Sequence, residues 1–172
     1  MICVAWRLAG IATLTLAMAM LPGCNRDQAL GERLVRAYND AAMAAYAAGD
    51  FSRLAEVAGS AEQRKVQALV DFKTGAGVRL ESRLEKLDVT GVSHPKPDQL
   101  LVSTTERWRY HDRPVQPGRP SGPELKATMK LTYDFRREAG SWKLDTVRSV
   151  STEYDGPRPE SAHDGQGPSS PH

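Results

Sequence analysis

Cysteine is scarce: the 172 residues hold two, Cys3 and Cys24, too few for a disulfide framework or a cysteine-ligated metal. Four histidines (His94, His111, His163 and His172) stand far apart, with no pair at helical ligand spacing, so no metal site is expected. Neither sign of charge prevails. A formal net charge of +2 lacks the basic stripe of a nucleic-acid footprint, and pairs such as Arg136-Arg137 are too short to make one. No serine sits in a nucleophile-elbow pattern, and Lys73-Thr74-Gly75-Ala76-Gly77 lacks the spacing of a phosphate loop. These absences exclude the commonest cofactor and nucleotide chemistries, and no cofactor is expected. Length and composition suit one globular domain.

What is present begins at the N-terminus. Arg7 precedes an uncharged apolar run, residues 8–21, which is about as long as a signal-peptide core and short for a bilayer span. The run ends in Leu21-Pro22-Gly23-Cys24. Leu21, Gly23 and Cys24 resemble the lipobox of bacterial lipoproteins; Pro22 at the second position departs from the usual small residue. The resemblance implies cleavage before Cys24, a diacylglycerol and a further acyl group such as palmitate on that residue, and membrane attachment through the lipid. Two or more acyl chains anchor stably where one does not. The alternatives are an uncleaved membrane anchor and a plain secreted protein. With Cys3 in the removed leader, the mature domain would carry no free thiol, which suits an oxidising envelope. Asn25 after the lipidated position favours the outer membrane over the inner one in bacteria that use aspartate there for retention.

A short polar spacer over 24–27 is expected to lead into a helix. Leu30, Leu34, Tyr38, Ala42 and Tyr46 recur every fourth residue, and the stretch is rich in alanine. Gly49-Asp50 ends it. A short second helix places Phe51, Leu54 and Val57 inward. Ser60 to Gln63 has the form of a capping box opening a third helix, which Gly75 and Gly77 close. From Val78 the period changes to two. The apolar phase slips between Leu84 and Leu87, which predicts a β-bulge near Glu85-Lys86. Residues 93–98 are a turn, 99–111 a second strand, 112–124 a long Pro/Gly loop, 125–138 a third strand and 142–154 a fourth. With Ala139-Gly140 as a two-residue loop, Phe135 is expected to pair with Leu144, Tyr133 with Thr146 and Leu131 with Arg148. Residues 156–172, rich in Gly, Pro and Ser, are expected to be disordered.

The pattern predicts an α+β domain over 28–155: N-terminal helices packed on a curved four-stranded antiparallel meander, cone-like in shape. It resembles the nuclear-transport-factor-2-like (cystatin-like) superfamily, over roughly residues 27–155 and in pattern more than in motif. A narrower resemblance rests on Ser103 to Tyr110 (STTERWRY) and on YDFRREAGSWKLDTV, residues 133–147. It is to the intermembrane-space domain of chloroplast and cyanobacterial division proteins and the bacterial domains related to it. That resemblance implies a non-catalytic domain that docks other proteins. The superfamily further implies dimerisation through the sheet and a pocket inside the cone.

Glu106 is the residue with most chemical content. By parity it shares a face with Leu100, Val102, Thr104, Trp108 and Tyr110, so it points inward, where a carboxylate must be paired or hydrogen-bonded. It is either a pocket acid or a structural group. Arg148, given inward parity with Trp142, Leu144 and Val150, is its expected partner. Trp108, Tyr110, Tyr133, Tyr38 and Tyr46 either line a pocket or are plain core. Asp134 and Asp145 fall on the polar face. The loop at 112–124 is a partner-binding loop or a tolerated insertion. The sequence therefore supports a lipid-anchored envelope protein that binds a protein partner or a small apolar ligand without catalysis. The alternative, carried by the superfamily, is a SnoaL-like pocket enzyme with Glu106 as general base.

Overall fold

The computed structural model describes residues 23–156; the expected leader before Gly23 and the expected tail after Gly156 lie outside them. The chain is α+β. Helices α1 (Gly23–Ala48), α2 (Leu54–Val57) and α3 (Ser60–Gly75) precede strands β1 (Val78–Lys96), β2 (Gln99–Pro114), β3 (Leu125–Glu138) and β4 (Ser141–Tyr154). The strands form one antiparallel sheet in the order β1-β2-β3-β4. Where a spacer was expected over 24–27, α1 has already begun. Among the described residues no helix is long and apolar enough to cross a membrane.

Alanine favours the helix intrinsically and lets it approach its neighbours closely. Ala41, Ala42 and Ala45 are buried with Val35 and Tyr38 on one stripe of α1. Gly31 marks a closer approach still: a Cβ there would stand 3.1 Å from Val102 and 3.3 Å from Val92. The helix runs antiparallel to β1, because Asp27 meets His94 near one end while Arg79 donates to the Ala47 carbonyl near the other. Gly49, at φ +72°, ends α1 by donating to the Ala45 carbonyl. Ser52 then donates twice to the Asp50 carboxylate, and these bonds hold that group below the usual carboxylate range.

α2 is a single turn. Leu54 is buried, and the Gly59 amide donates to the Leu144 carbonyl, tying the segment to β4. The expected capping box does not form. Gly59 is the N-cap of α3, Ser60 lies one residue inside, and the Gln63 side chain reaches back to the Ala58 carbonyl. This register turns Glu62 onto the buried face beside Val66.

The β2–β3 pairing is continuous from Gln99↔Arg136 to Tyr110↔Leu125. The outer strands are not. β1 carries an extra residue at Glu85, as the Leu84-to-Leu87 slip predicted, another at Thr90 and a third irregularity between Ser93 and Lys96. β4 carries extra residues at Asp145 and Val150. Each bulge flips the parity of the residues beyond it. Leu84, Leu87, Val89 and Val92 thereby stay opposite Trp108, Glu106, Thr104 and Val102. The hairpin at Ala139 and Gly140, with φ +47° and +86°, is the tight turn expected, and Phe135 pairs with Leu144. Beyond it the expected register fails by one. The bulge at Asp145 sets Tyr133 opposite Val147 and Leu131 opposite Ser149. Two further corrections concern extent: β1 continues to Lys96, and β2 to Pro114, so the turn is shorter than 93–98 and the loop shorter than 112–124.

The core fills only part of the space between helices and sheet. Val35, Leu54, Leu100, Val102, Phe135 and Leu144 pack together at the end where β2 begins and β3 finishes. Toward the other end of the same strands the side chains part.

Candidate functional site

One face of β2 carries Leu100, Val102, Thr104, Glu106, Trp108 and Tyr110 in succession, as its alternation predicted. The first four are buried and the last two partly so. Glu106 stands where packed core gives way to open space, between Leu87 of β1 and Met129 of β3. It is fully buried, and both its oxygens are engaged. Thr104 Oγ1 and the Tyr133 hydroxyl each donate to Oε1 at 2.8 Å. Trp108 Nε1 donates to Oε2 at 2.8 Å and Asn39 Nδ2 at 3.3 Å. Four donors match the lone-pair positions of a carboxylate, which is how a buried acid is accommodated without a cation.

The expected Glu106–Arg148 pair is absent. Arg148 is exposed and lies opposite Thr132, because the bulge at Asp145 turned it outward. Val150 is itself an extra residue of β4, without a partner on β3, and is 70% exposed. Asp134 sits on the outer face as expected. It is nevertheless buried there, bonded by Gln99 Nε2 at 2.9 and 3.0 Å and paired with Arg136.

Beyond Glu106 lies a cavity of about 740 Å³. Tyr38, Tyr46, Trp108, Tyr110 and Tyr133 line it with Met43, Leu69, Leu80, Leu125, Met129, Leu131 and Val147. Glu106 is not in the lining; it lies behind the wall that Asn39, Trp108 and Tyr133 form. Four of the candidate residues, Tyr38, Trp108, Tyr110 and Tyr133, thus converge on one space. Glu106 supports it from behind, and Arg148 takes no part. Ala42 is the small residue of α1 in the lining, beside Tyr38, Met43 and Tyr46.

Three residues that sequence reasoning passed over complete the site. Asn39 bridges Glu106 and the Tyr133 hydroxyl. Glu62, buried, accepts from the Tyr38 hydroxyl at 2.9 Å and from Lys65. Lys73 reaches the cavity from α3 and donates to both oxygens of Asp112 at 2.8 Å. Each sits on the apolar stripe of its helix: Asn39 between Val35 and Ala42, Glu62 and Lys73 in line with Val66 and Leu69. A polar residue on such a stripe was the available signal.

Burial dominates the electrostatics of the walls. It pushes the Tyr38 phenol far above its ordinary value, with Tyr46 and Glu62 adding to the effect. Tyr133 is raised first by burial and then by Glu106. Tyr46 is pushed up to about 12, again mainly by burial. Tyr110 is raised by burial and by its bond with Tyr154. These phenols are therefore neutral at physiological pH. Among the described residues no cluster of three or more His, Cys, Asp or Glu is placed to hold a metal ion.

No family model matches the chain, and no curated protein matches it. Among solved structures, the intermembrane-space region of the chloroplast protein ARC6 is similar in fold. The TM-score is 0.62 at 17% identity, over 72% of this chain and 95% of that one. The resemblance expected from STTERWRY and the final hairpin thus has a counterpart in the arrangement of helices and sheet.

Glu106→Gln should cost about 1–3 kcal/mol of stability, since an amide cannot accept from four donors and the Trp108 indole can only donate. Urea denaturation monitored by tryptophan fluorescence measures it. A variant as stable as the wild type would mean that the four bonds contribute nothing to stability. A second expectation concerns alkali. Phenols with folded values above the unfolded one, near 10, contribute stability that is complete below about pH 10 and is lost as pH climbs toward the folded values. The denaturation midpoint should fall from about pH 10 upward, and less steeply in Tyr133→Phe.

Proposed function

We propose that this chain is a lipid-anchored envelope protein whose domain binds a small apolar ligand in the cavity between α1, α3 and the sheet, without transforming it. The observation that carries the reading is the cavity itself. Its size falls within the range of small-molecule sites, its walls are aromatic and aliphatic, and its floor is held rigid by the Glu106 bonds. A pocket inside a cone is also what the nuclear-transport-factor-2-like resemblance implies. The enzyme alternative fits the geometry less well. A general base must reach the proton that it removes, whereas Glu106 is sealed behind the wall with both oxygens occupied.

Envelope location draws on two further points. The lipobox-like Leu21-Pro22-Gly23-Cys24 would supply the anchor, with outer-membrane placement favoured by Asn25. The similar structure is a region from an intermembrane space, which keeps the fold in an envelope setting. In such an arrangement the cavity lies toward the end of the domain away from the lipid. The start of α1 is beside His94, and the cavity is bordered by Leu80 and Asp112 at the far end of the same strands.

Two measurements test this. Straight-chain alcohols from hexanol to decanol should displace Nile red from the full chain, each added methylene tightening binding by about fourfold until the cavity is full. Leu131→Trp, which takes up part of the cavity from the β3 wall, should weaken the longest alcohols most. Affinity independent of chain length would sink the ligand reading. For the anchor, radiolabelled palmitate fed to the producing bacterium should enter the wild type and not Cys24→Ser. Label in both, or in neither, would remove Cys24 as the lipidation site.

A further inference from the structure

The walls of the cavity offer a ligand little polar contact. Tyr38, Tyr133, Asn39 and Trp108 direct their donors to Glu62, to Glu106 and to one another, away from the cavity. The charged lining is confined to one end, where Lys73 of α3 meets Asp112 near the close of β2, with His111 beside them. Ser82, Ser149 and the Tyr46 and Tyr110 hydroxyls also line the cavity, but a charged group on an otherwise apolar ligand finds an opposite charge only at the Lys73 end.

The two partners of that ion pair are not equivalent. Lys73 follows Val66 and Leu69 on the inward stripe of its helix, and its side chain is 24% exposed; Asp112 is 37% exposed, near the end of a strand before the long loop. The carboxylate can turn to water, whereas the ammonium stem is held against the cavity. Nζ carries three donors and spends two of them on Asp112 Oδ1 and Oδ2, both at 2.8 Å. The third has no protein acceptor among the described residues. Asp112 therefore occupies an anion subsite that the protein itself has built, in the geometry a ligand carboxylate would adopt.

We infer that the ligand is a single-chain amphiphile with a carboxylate head, a fatty-acid-like molecule whose head bonds Lys73 in place of, or beside, Asp112 and whose chain runs toward Trp108 and Tyr133. This rests on the apolar-ligand reading above and adds the head group to it. Lys73 is the specificity-determining residue, and Asp112 is the internal competitor that keeps the lysine partnered while the cavity is empty.

The test compares octanoate with octanol, equal in chain and different in head. The full chain in phosphatidylcholine nanodiscs at about neutral pH is titrated by Nile red displacement, with protein-free nanodiscs as reference. Octanoate should bind about fivefold more tightly, the upper end for a pair open to water. The octanoate-to-octanol affinity ratio should fall to about one in Lys73→Met, persist in Lys73→Arg, and rise in Asp112→Asn. The ratio compares two ligands on one variant, so a partly misfolded preparation does not mimic the effect. Equal binding of acid and alcohol by the wild type, or a preference that survives Lys73→Met, overturns the head-group inference and leaves the apolar site standing. Binding of neither ligand overturns both.

Discussion

The Glu106 carboxylate holds the architecture at its narrowest point. Donors from α1 (Asn39), from its own strand (Thr104 and Trp108) and from β3 (Tyr133) meet on two oxygens. A buried acid left without partners would be among the costliest groups in the domain. Satisfied, it fixes the height of α1 above the sheet and the rotamers of the indole and the phenol that form the cavity floor. The Tyr38 ring, edge-on to Tyr133 at 6.1 Å between centroids, extends the same layer to Glu62 and so to α3. Two buried carboxylates and two phenols thus link α1 and α3 to the sheet through directional bonds.

This layer divides the interior by chemistry. On one side, apolar residues from α1, α2 and all four strands interlock, and the domain owes its stability to that packing. On the other side, the same strands continue, and Met43 and Tyr46 of α1 and Leu69 and Lys73 of α3 stand across an open space from them. The void is therefore a product of where the core ends, and its floor is stiff because it is hydrogen-bonded. A ligand of the kind proposed would meet apolar walls that are already ordered, so little conformational freedom would be lost on binding.

The element order, the helix-to-strand switch at Val78, the inward face of β2 and the final hairpin were all legible in the sequence, since each is written in the period of apolar residues. So was the first bulge, because Leu84 and Leu87 stand three apart. The same spacing recurs at Leu144 and Val147 and marks the bulge at Asp145, yet strict alternation through Thr146 and Arg148 competed with it. One missed residue turned Arg148 from a partner of Glu106 into a solvated side chain. The true partners were harder to read. Trp108 and Thr104 are two residues from Glu106 and Tyr133 is on the next strand, but Asn39 is 67 positions away on a helix. The cavity was one of two readings of the inward aromatics, pocket wall or plain core, and periodicity could not choose between them, because empty space depends on volumes that it does not weigh.

Every register break in the sheet falls on β1 or β4, and the central β2–β3 ladder has none. These two strands are also the ones with an unpaired side. An open four-stranded sheet presents two rows of free amides and carbonyls, which could recruit the edge of another copy and begin a growing stack. Here five interruptions, together with Pro95 within β1, prevent either row from offering a long regular run of donors and acceptors. The irregularities that keep apolar side chains facing inward therefore also protect a concentrated population of this domain from assembling edge to edge.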